Sequence, residues 1–446
     1  REFPAGEICS LAHLRHLNLS SNQIGAVSDL DRSCLPSLEL LDLSSNEMTS
    51  LETNSLPASL RELRVQRNFI RFIAPDVFHS NSSISELDMS NNQINHLPAP
   101  LLHSVSLRSL NLANNTLSSL PKDVLHGQKQ LERLDLSGNL LASAELSPEL
   151  TRDMFSLMEL DLSGNISQEV SKEFLSTFPN LQVLRLKSNK IAAMQMSPSL
   201  FQLKELELSG NKLEKLAADN LEGLESLTHL SLGSNQIQTI HPATFRNASQ
   251  LLVLDISDNQ LTEIPDSLKY LHNLQTLDIG GNLIEDIAEN SPLSGMENLW
   301  RLQLHRNQIR NVSHDVFTNL RTLQIIDLSR NEISRVARGT FDQNKLLRAI
   351  RLDGNQIREI DGVFSNLPEL IWLNVSQNQI KNFDFALVPR TLSWLDISNN
   401  IVEELGNYFD LSGDLSLSFL NAGFNRIKSL APVNVPDSVE TLLLND

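Results

Sequence analysis

Apolar residues recur along this chain at a fixed interval, and each recurrence closes on asparagine. Leu14-Arg15-His16-Leu17-Asn18-Leu19-Ser20-Ser21-Asn22 sets the pattern, with leucine at the first, fourth and sixth places and asparagine at the ninth. Leu38 to Asn46, Leu60 to Asn68 and Ile84 to Asn92 repeat it. The closing asparagines are Asn22, Asn46, Asn68, Asn92, Asn115, Asn139, Asn165, Asn189, Asn211, Asn235, Asn259, Asn282, Asn307, Asn331, Asn355, Asn378, Asn400 and Asn425, 18 in all and 22 to 26 residues apart. A further unit starts at Val439, Leu442 and Leu444. Side chains alternate faces along a strand, so the spaced leucines predict a short strand with one buried face. One such strand cannot bury that face alone, and neighbouring units must stack to form a continuous core. The asparagine side chain then turns inward, where it can satisfy backbone groups that the bend leaves unpaired.

The period and its consensus resemble the leucine-rich repeat. The resemblance implies an α/β repeat fold: a horseshoe solenoid with a concave parallel β-sheet and an irregular or short-helical convex side. The outer half of each unit fits. After Asn68, Ile70, Ile73, Phe78 and Ile84 follow at 2, 5, 10 and 16 residues. After Asn235 the same places hold Ile237, Ile240, Phe245 and Leu251. Phe317 and Phe341 continue the series, and nearly every phenylalanine is expected inside the convex side. No linker or composition break interrupts residues 1–446, which read as one solenoid of 18 full repeats with partial repeats at both ends. Arg1-Glu2-Phe3-Pro4 matches Thr262-Glu263-Ile264-Pro265, a mid-repeat segment, so an excerpt of a larger ectodomain is expected. No run of 18 or more apolar residues suits a membrane span, and no signal peptide is visible.

Cys9 and Cys34 fall five and four residues before the strands that begin at Leu14 and Leu38. Stacked coils bring such positions within disulfide reach, as suits an oxidising compartment, and two buried thiols are the alternative. Seven sequons point the same way. Asn165 is a ladder asparagine and is expected to be buried and unmodified, which leaves Asn18, Asn81, Asn114, Asn247, Asn311 and Asn374 as candidate N-glycan sites.

The register also names the side chains that face the concave solvent. Asp42, Asp88, Asp135, Asp161, Asp255, Asp278, Asp327 and Asp396 stand four before their asparagines and read as an acidic stripe, or simply a solvated face. The formal charge of −18 argues against nucleic acid. Between Trp300 and Arg358 the balance reverses, with 11 Lys/Arg against 5 Asp/Glu. Arg301, His305, Arg306, Arg330, Arg348 and Arg351 fall on or beside the strands there, as a landing surface for an acidic loop or sulfated glycan, or as a fluctuation of surface charge. Trp300, Trp372 and Trp394 occupy outward strand places, Phe419 continues the row and Phe424 lies beside it. Exposed aromatics in a row are hot-spot material for a partner, with packing under a loop or against a glycan as the alternative.

No enzyme chemistry is apparent. The eleven histidines are scattered without metal-ligand spacing, and neither a phosphate-binding glycine loop nor a G-x-S-x-G turn occurs. No cofactor is expected.

The last fifty residues narrow the family. Trp394-Leu395-Asp396-Ile397-Ser398-Asn399-Asn400, Glu404-Leu405-Gly406-Asn407-Tyr408-Phe409, Asn421-Ala422-Gly423-Phe424-Asn425 and Val435-Pro436-Asp437-Ser438 through Asn445-Asp446 resemble the long invertebrate Toll receptors of the 18-wheeler and Tollo group, as does Phe383-Asp384-Phe385-Ala386-Leu387-Val388-Pro389. The resemblance implies the extracellular region of a single-pass membrane receptor with a cytoplasmic TIR domain. It also implies cystine-knot ligands of the Spätzle type, or other leucine-rich-repeat ectodomains, as partners, and innate immune or developmental signalling as output. Adhesion between ectodomains and a secreted matrix role remain as alternatives. Plant receptor kinases carry a recurring L-x-G-x-I-P segment that is missing here.

Overall fold

A computed structural model describes residues 8–27, 34–52, 56–78, 82–99, 101–102, 105–143, 146–288, 291–407, 414–428 and 435–445. Asn81 and Tyr408-Phe409 lie outside the described residues. The chain forms two compact units, Arg1–Leu213 with Asp219–Leu227, and Glu214–Ala218 with Thr228–Asp446. Each is built from the same coil.

In the first unit, three-residue strands from His16–Asn18 to Glu205–Glu207 pair in parallel, each shifted by one whole repeat. In the second, the strands run from His229–Ser231 to Thr441–Leu443 in the same way. The middle residue of each strand points inward: Leu302, Ile326, Ile350, Leu373 and Leu395 are fully buried. So is the next inward residue, as with Leu304, Leu328, Leu352, Val375 and Ile397. Each such side chain contributes about 1.5–3 kcal/mol by leaving water.

The asparagine ladder does what the sequence predicts. The amide of Asn68 donates to its own repeat at Val65 O (3.0 Å) and to the preceding repeat at Leu43 O (3.0 Å), while its Oδ1 accepts from Met48 N (3.0 Å). Asn331 makes the same bonds to Leu328 O, Leu304 O and Ile309 N. Each of these asparagines thus links its repeat to the one before, so the bend is closed by its neighbour. The residue just before each ladder asparagine is left-handed, from Ser21 (φ 58°) to Phe424 (φ 53°). That conformation costs a non-glycine residue about 1–2 kcal/mol. It aims the N–H at the next coil, as in Arg330 N to Asp353 O at 2.7 Å.

Helix is scarce among the described residues, as in the single turns Pro148–Thr151 and Lys172–Leu175. The back of the coil carries instead two-residue parallel pairs such as Asn311–Val312 with Arg335–Val336. Phe78, Phe245, Phe317 and Phe341 pack inside that back, and Phe317, Phe341 and Phe364 stack at 5.7 and 6.4 Å. The expectation that nearly every phenylalanine is internal needs correction. Phe69, Phe72, Phe155, Phe201 and Phe424 are each about half exposed. Phe69 and Phe72 fall one and four residues past Asn68, each one place before an inward residue, Ile70 and Ile73.

Cys9 and Cys34 form a disulfide with 4.6 Å between Cα atoms, closing a separation of 25 residues.

Candidate partner-binding face

The strand register of the second unit sets two outward rows. Six residues before the ladder asparagines stand Arg301, Ile325, Ala349, Trp372, Trp394 and Phe419, paired successively in parallel. Four before them stand Gln303, Asp327, Arg351, Asn374, Asp396 and Asn421.

The first row ends in a stack. Trp372 and Trp394 lie 4.5 Å apart between ring centroids with 7° between planes, and Trp394 and Phe419 lie 5.2 Å apart with 4°. These separations match the roughly 4.8 Å between adjacent strands, so the sheet itself spaces the rings. All three are half-buried, and Trp394 has a ring on each face. Trp300 does not join them. It sits one place earlier in its repeat, donates its N–H to Gln275 O, and leaves the equivalent outward place to Arg301. Phe424 is 53% exposed at the left-handed place of its repeat. Its backbone conformation and its exposure both belong to the place, as at Arg330 and Asn399, and only its aromatic ring sets it apart.

The second row is neither a plain acidic stripe nor a merely solvated face, because its side chains have a structural role. The first carboxylate oxygen of each aspartate accepts from the N–H two residues on: Ser44 to Asp42, Ser137 to Asp135, Ser329 to Asp327 and Ser398 to Asp396, all near 2.9 Å. Asn111, Asn374 and Asn421 replace aspartate at this place and make the same bond. The carboxyls are accordingly half-buried or buried, not fully solvated. Burial, aided by Asp161 and Asp88, pushes the Asp135 carboxyl above the usual range against the hydrogen bonds from Ser137. Burial does the same at Asp278, with Asp255 and Asp258 adding to it and the Gly280 N–H and His305 opposing it. Second oxygens tie the row together, with Gln303 Nε2 to Asp278 at 2.6 Å and Asn421 Nδ2 to Asp396 at 3.0 Å.

The basic segment is partly neutralised. Arg351 holds Asp327 (3.3 Å) and Asp353 (3.1 Å), Arg310 holds Glu285 (3.0 Å) and Glu332 (3.3 Å), and Arg306 pairs with Asp258. Arg301 Nε donates to Gln303 instead. Arg330 and Arg348 are exposed and enter none of these ion pairs. His305 is half-buried, with its ring over Gly280, where an added Cβ would come within 2.3 Å of it.

A feature the sequence did not suggest is an open cavity of about 880 Å³ beside the strands, lined by Lys345, Leu367, Pro368, Val388, Pro389 and Arg390 among others. Its cations are engaged, Lys345 with Asn366 O (2.9 Å) and Arg390 with Asp414 (3.2 Å). Among the described residues, no group of three or more His, Cys, Asp or Glu could hold a metal ion. Nor is any helix of the described residues long and apolar enough to cross a membrane. Among the candidate glycan sites, Asn18, Asn114, Asn247 and Asn311 are exposed, Asn374 is half-buried, and Asn165 is buried as part of the ladder.

Parallel three-residue strands, a shared asparagine ladder and an apolar back define a leucine-rich-repeat region, and the chain is one. Leucine-rich-repeat family models match residues 58–115, 195–237, 226–284 and 297–357, with shorter matches at 10–27 and 106–127. Toll-like receptor 7 of Drosophila melanogaster is 44% identical over 187 residues, 42% of this chain and 13% of that protein. Mouse podocan is 27% identical over 356 residues, 73% of this chain and 53% of podocan. The chain thus spans a small part of the first relative and about half of the second. Among solved structures, a leucine-rich-repeat protein of Leptospira interrogans shares the fold at TM-score 0.66 and 24% identity, covering 90% of this chain and 94% of that one. A plant peptide hormone receptor in complex with RGF2 does so at TM-score 0.60 and 21% identity, covering 97% and 78%.

Proposed function

We propose that this chain is part of the extracellular ligand-binding region of a Toll-type receptor, and that it takes a secreted protein partner of the cystine-knot class on the sheet face around Trp372, Trp394 and Phe419. The observation that carries the reading is the stacked aromatic row, which places three large apolar side chains side by side on the sheet face, next to the polar row of Asn374, Asp396 and Asn421. Buried aromatic anchors concentrate binding energy in protein interfaces, and rings already stacked lose little freedom on binding. The 44% identity to a Drosophila Toll-like receptor supports the family. The Cys9–Cys34 disulfide suits an oxidising, extracellular setting. Arg301, Arg330 and Arg348 add positive charge upstream of the aromatic row, and N-glycans at the exposed sequons complete the surface.

The longer match to podocan favours a second reading, a leucine-rich-repeat protein without a membrane anchor. Fractionation of cells that express the parent protein separates the two. The receptor reading predicts recovery in the membrane fraction, resistant to high salt and released by detergent. Recovery in the culture medium supports the second reading and defeats the first.

A further inference from the structure

The aromatic stack has a free end. Its rungs follow the strands, Phe419 on Trp394 on Trp372, and the next strand pairs Ala349 with Trp372. The planes are within 7° of one another and the centroids one strand spacing apart, so the ring normals run along the stacking direction. The face of Trp372 turned from Trp394 therefore looks over Ala349, where a single methyl group occupies a rung that a ring would fill. Ile325 bounds that rung on the far side, and both Ala349 and Trp372 are half-buried. Exposed Arg348 directly precedes Ala349 and enters no ion pair, whereas Arg351, two residues on, is held by Asp327 and Asp353.

We propose that the Ala349 rung is a slot that receives a planar aromatic side chain of a protein partner, stacked on Trp372, with a neighbouring carboxylate of the same partner loop on Arg348. This rests on the partner-binding reading above and deepens it by naming what the partner inserts. The width of the slot is set by the strand spacing, so a flat ring fits and a branched aliphatic chain does not. The uncompensated guanidinium selects an acidic neighbour over a basic one. The other candidate for the face of Trp372 is a glycan on the half-buried Asn374, two residues along the same strand.

The test uses the glycosylated chain with Trp300→Phe, which leaves Trp372 and Trp394 as the emitting indoles, and three capped tripeptides as probes: Asp-(4-nitro-Phe)-Asp, Lys-(4-nitro-Phe)-Lys and Asp-Leu-Asp. The nitrophenyl group quenches tryptophan emission on contact. Saturable quenching by the acidic aromatic probe is expected, weakened about tenfold by Ala349→Phe, which fills the rung. Arg348→Glu reduces affinity for the acidic probe and raises it for the basic one. Asp-Leu-Asp at equal concentration fails to compete. Thermal denaturation of Ala349→Phe, expected to match the parent, excludes misfolding. Quenching unchanged by Ala349→Phe, equal competition by Asp-Leu-Asp, or quenching that appears only after enzymatic removal of N-glycans overturns the proposal. Loss of protein-partner binding on Trp372→Ala but not on Ala349→Phe overturns the slot alone and leaves the receptor reading standing.

Discussion

Trp372 and Trp394 lie face to face on adjacent strands, 4.5 Å apart between centroids and 7° from parallel. The register of the sheet beneath sets their spacing, and Phe419 stacks on the other side of Trp394. Leu373 and Leu395, the residues after them, are fully buried and fix both strands. Two indoles in this arrangement couple electronically. The far-ultraviolet circular dichroism spectrum should therefore carry an exciton couplet, lost equally in Trp372→Ala and Trp394→Ala and kept in Trp300→Phe. Each alanine variant should lose about 0.5–1.5 kcal/mol beyond the area effect. A couplet that persists in either alanine variant contradicts the stacked geometry.

The ladder asparagines should be the least replaceable residues. Asn331→Ala leaves the N–H of Ile309 unpaired in the core, at about 1–3 kcal/mol, and takes one of two donors from the carbonyls of Leu304 and Leu328, which keep Asn307 and Asn355. Asn331→Asp should be worse than alanine, because it sets a buried carboxylate against the two carbonyl oxygens that the amide nitrogen contacts. Chemical denaturation of both variants measures this. An aspartate variant as stable as the parent would refute the bonding scheme.

Asp135→Asn should stabilise the chain at neutral pH. Asparagine keeps the acceptor for Ser137 N, as Asn111 does for Ala113 N in the adjacent repeat, and removes a charge that burial disfavours. The sign follows from the raised carboxyl. With its folded pKa above the unfolded value, the wild-type group loses stability as pH rises through that window. The asparagine variant should thus gain its advantage from just above pH 3.8 upward and show little below. Denaturation midpoints across acid to neutral pH test it, and a variant advantage that grows toward low pH would reverse the assignment.

Peptide mapping before and after enzymatic deglycosylation should find glycan at exposed Asn114, Asn247 and Asn311 and none at buried Asn165. Occupied Asn165 is incompatible with the ladder, whose amide nitrogen already donates to Leu136 O and Leu162 O at 3.0 Å.

What the sequence made legible was whatever recurs. The asparagine ladder, the inward leucines, the phenylalanines from Phe78 to Phe341 and the Cys9–Cys34 pair all follow from aligning one repeat on the next. The left-handed place before each asparagine also leaves a mark in the sequence, as Gly138, Gly164, Gly210, Gly281 and Gly354. What stayed hidden depends on side-chain conformation. A shared register shows that Trp372, Trp394 and Phe419 stand in a row, but not that their rings lie flat on one another. It set Trp300 with them, although its place is one residue earlier. The aspartates before the ladder were indistinguishable from a solvated stripe, because a cap to the residue two ahead leaves no mark in composition. Charge counts likewise overstate the basic patch, since Arg306 finds Asp258 at a distance of 48 residues along the chain.

The measurement that bears most directly on the proposed binding face is light scattering on the chain produced in a secretory host, alone and with a secreted cystine-knot protein. A rise in mass with that protein, abolished by Trp372→Ala combined with Trp394→Ala while the fold is retained, is the predicted result. A complex that forms equally well with the double variant, or no complex alongside binding to another leucine-rich-repeat ectodomain, would contradict it.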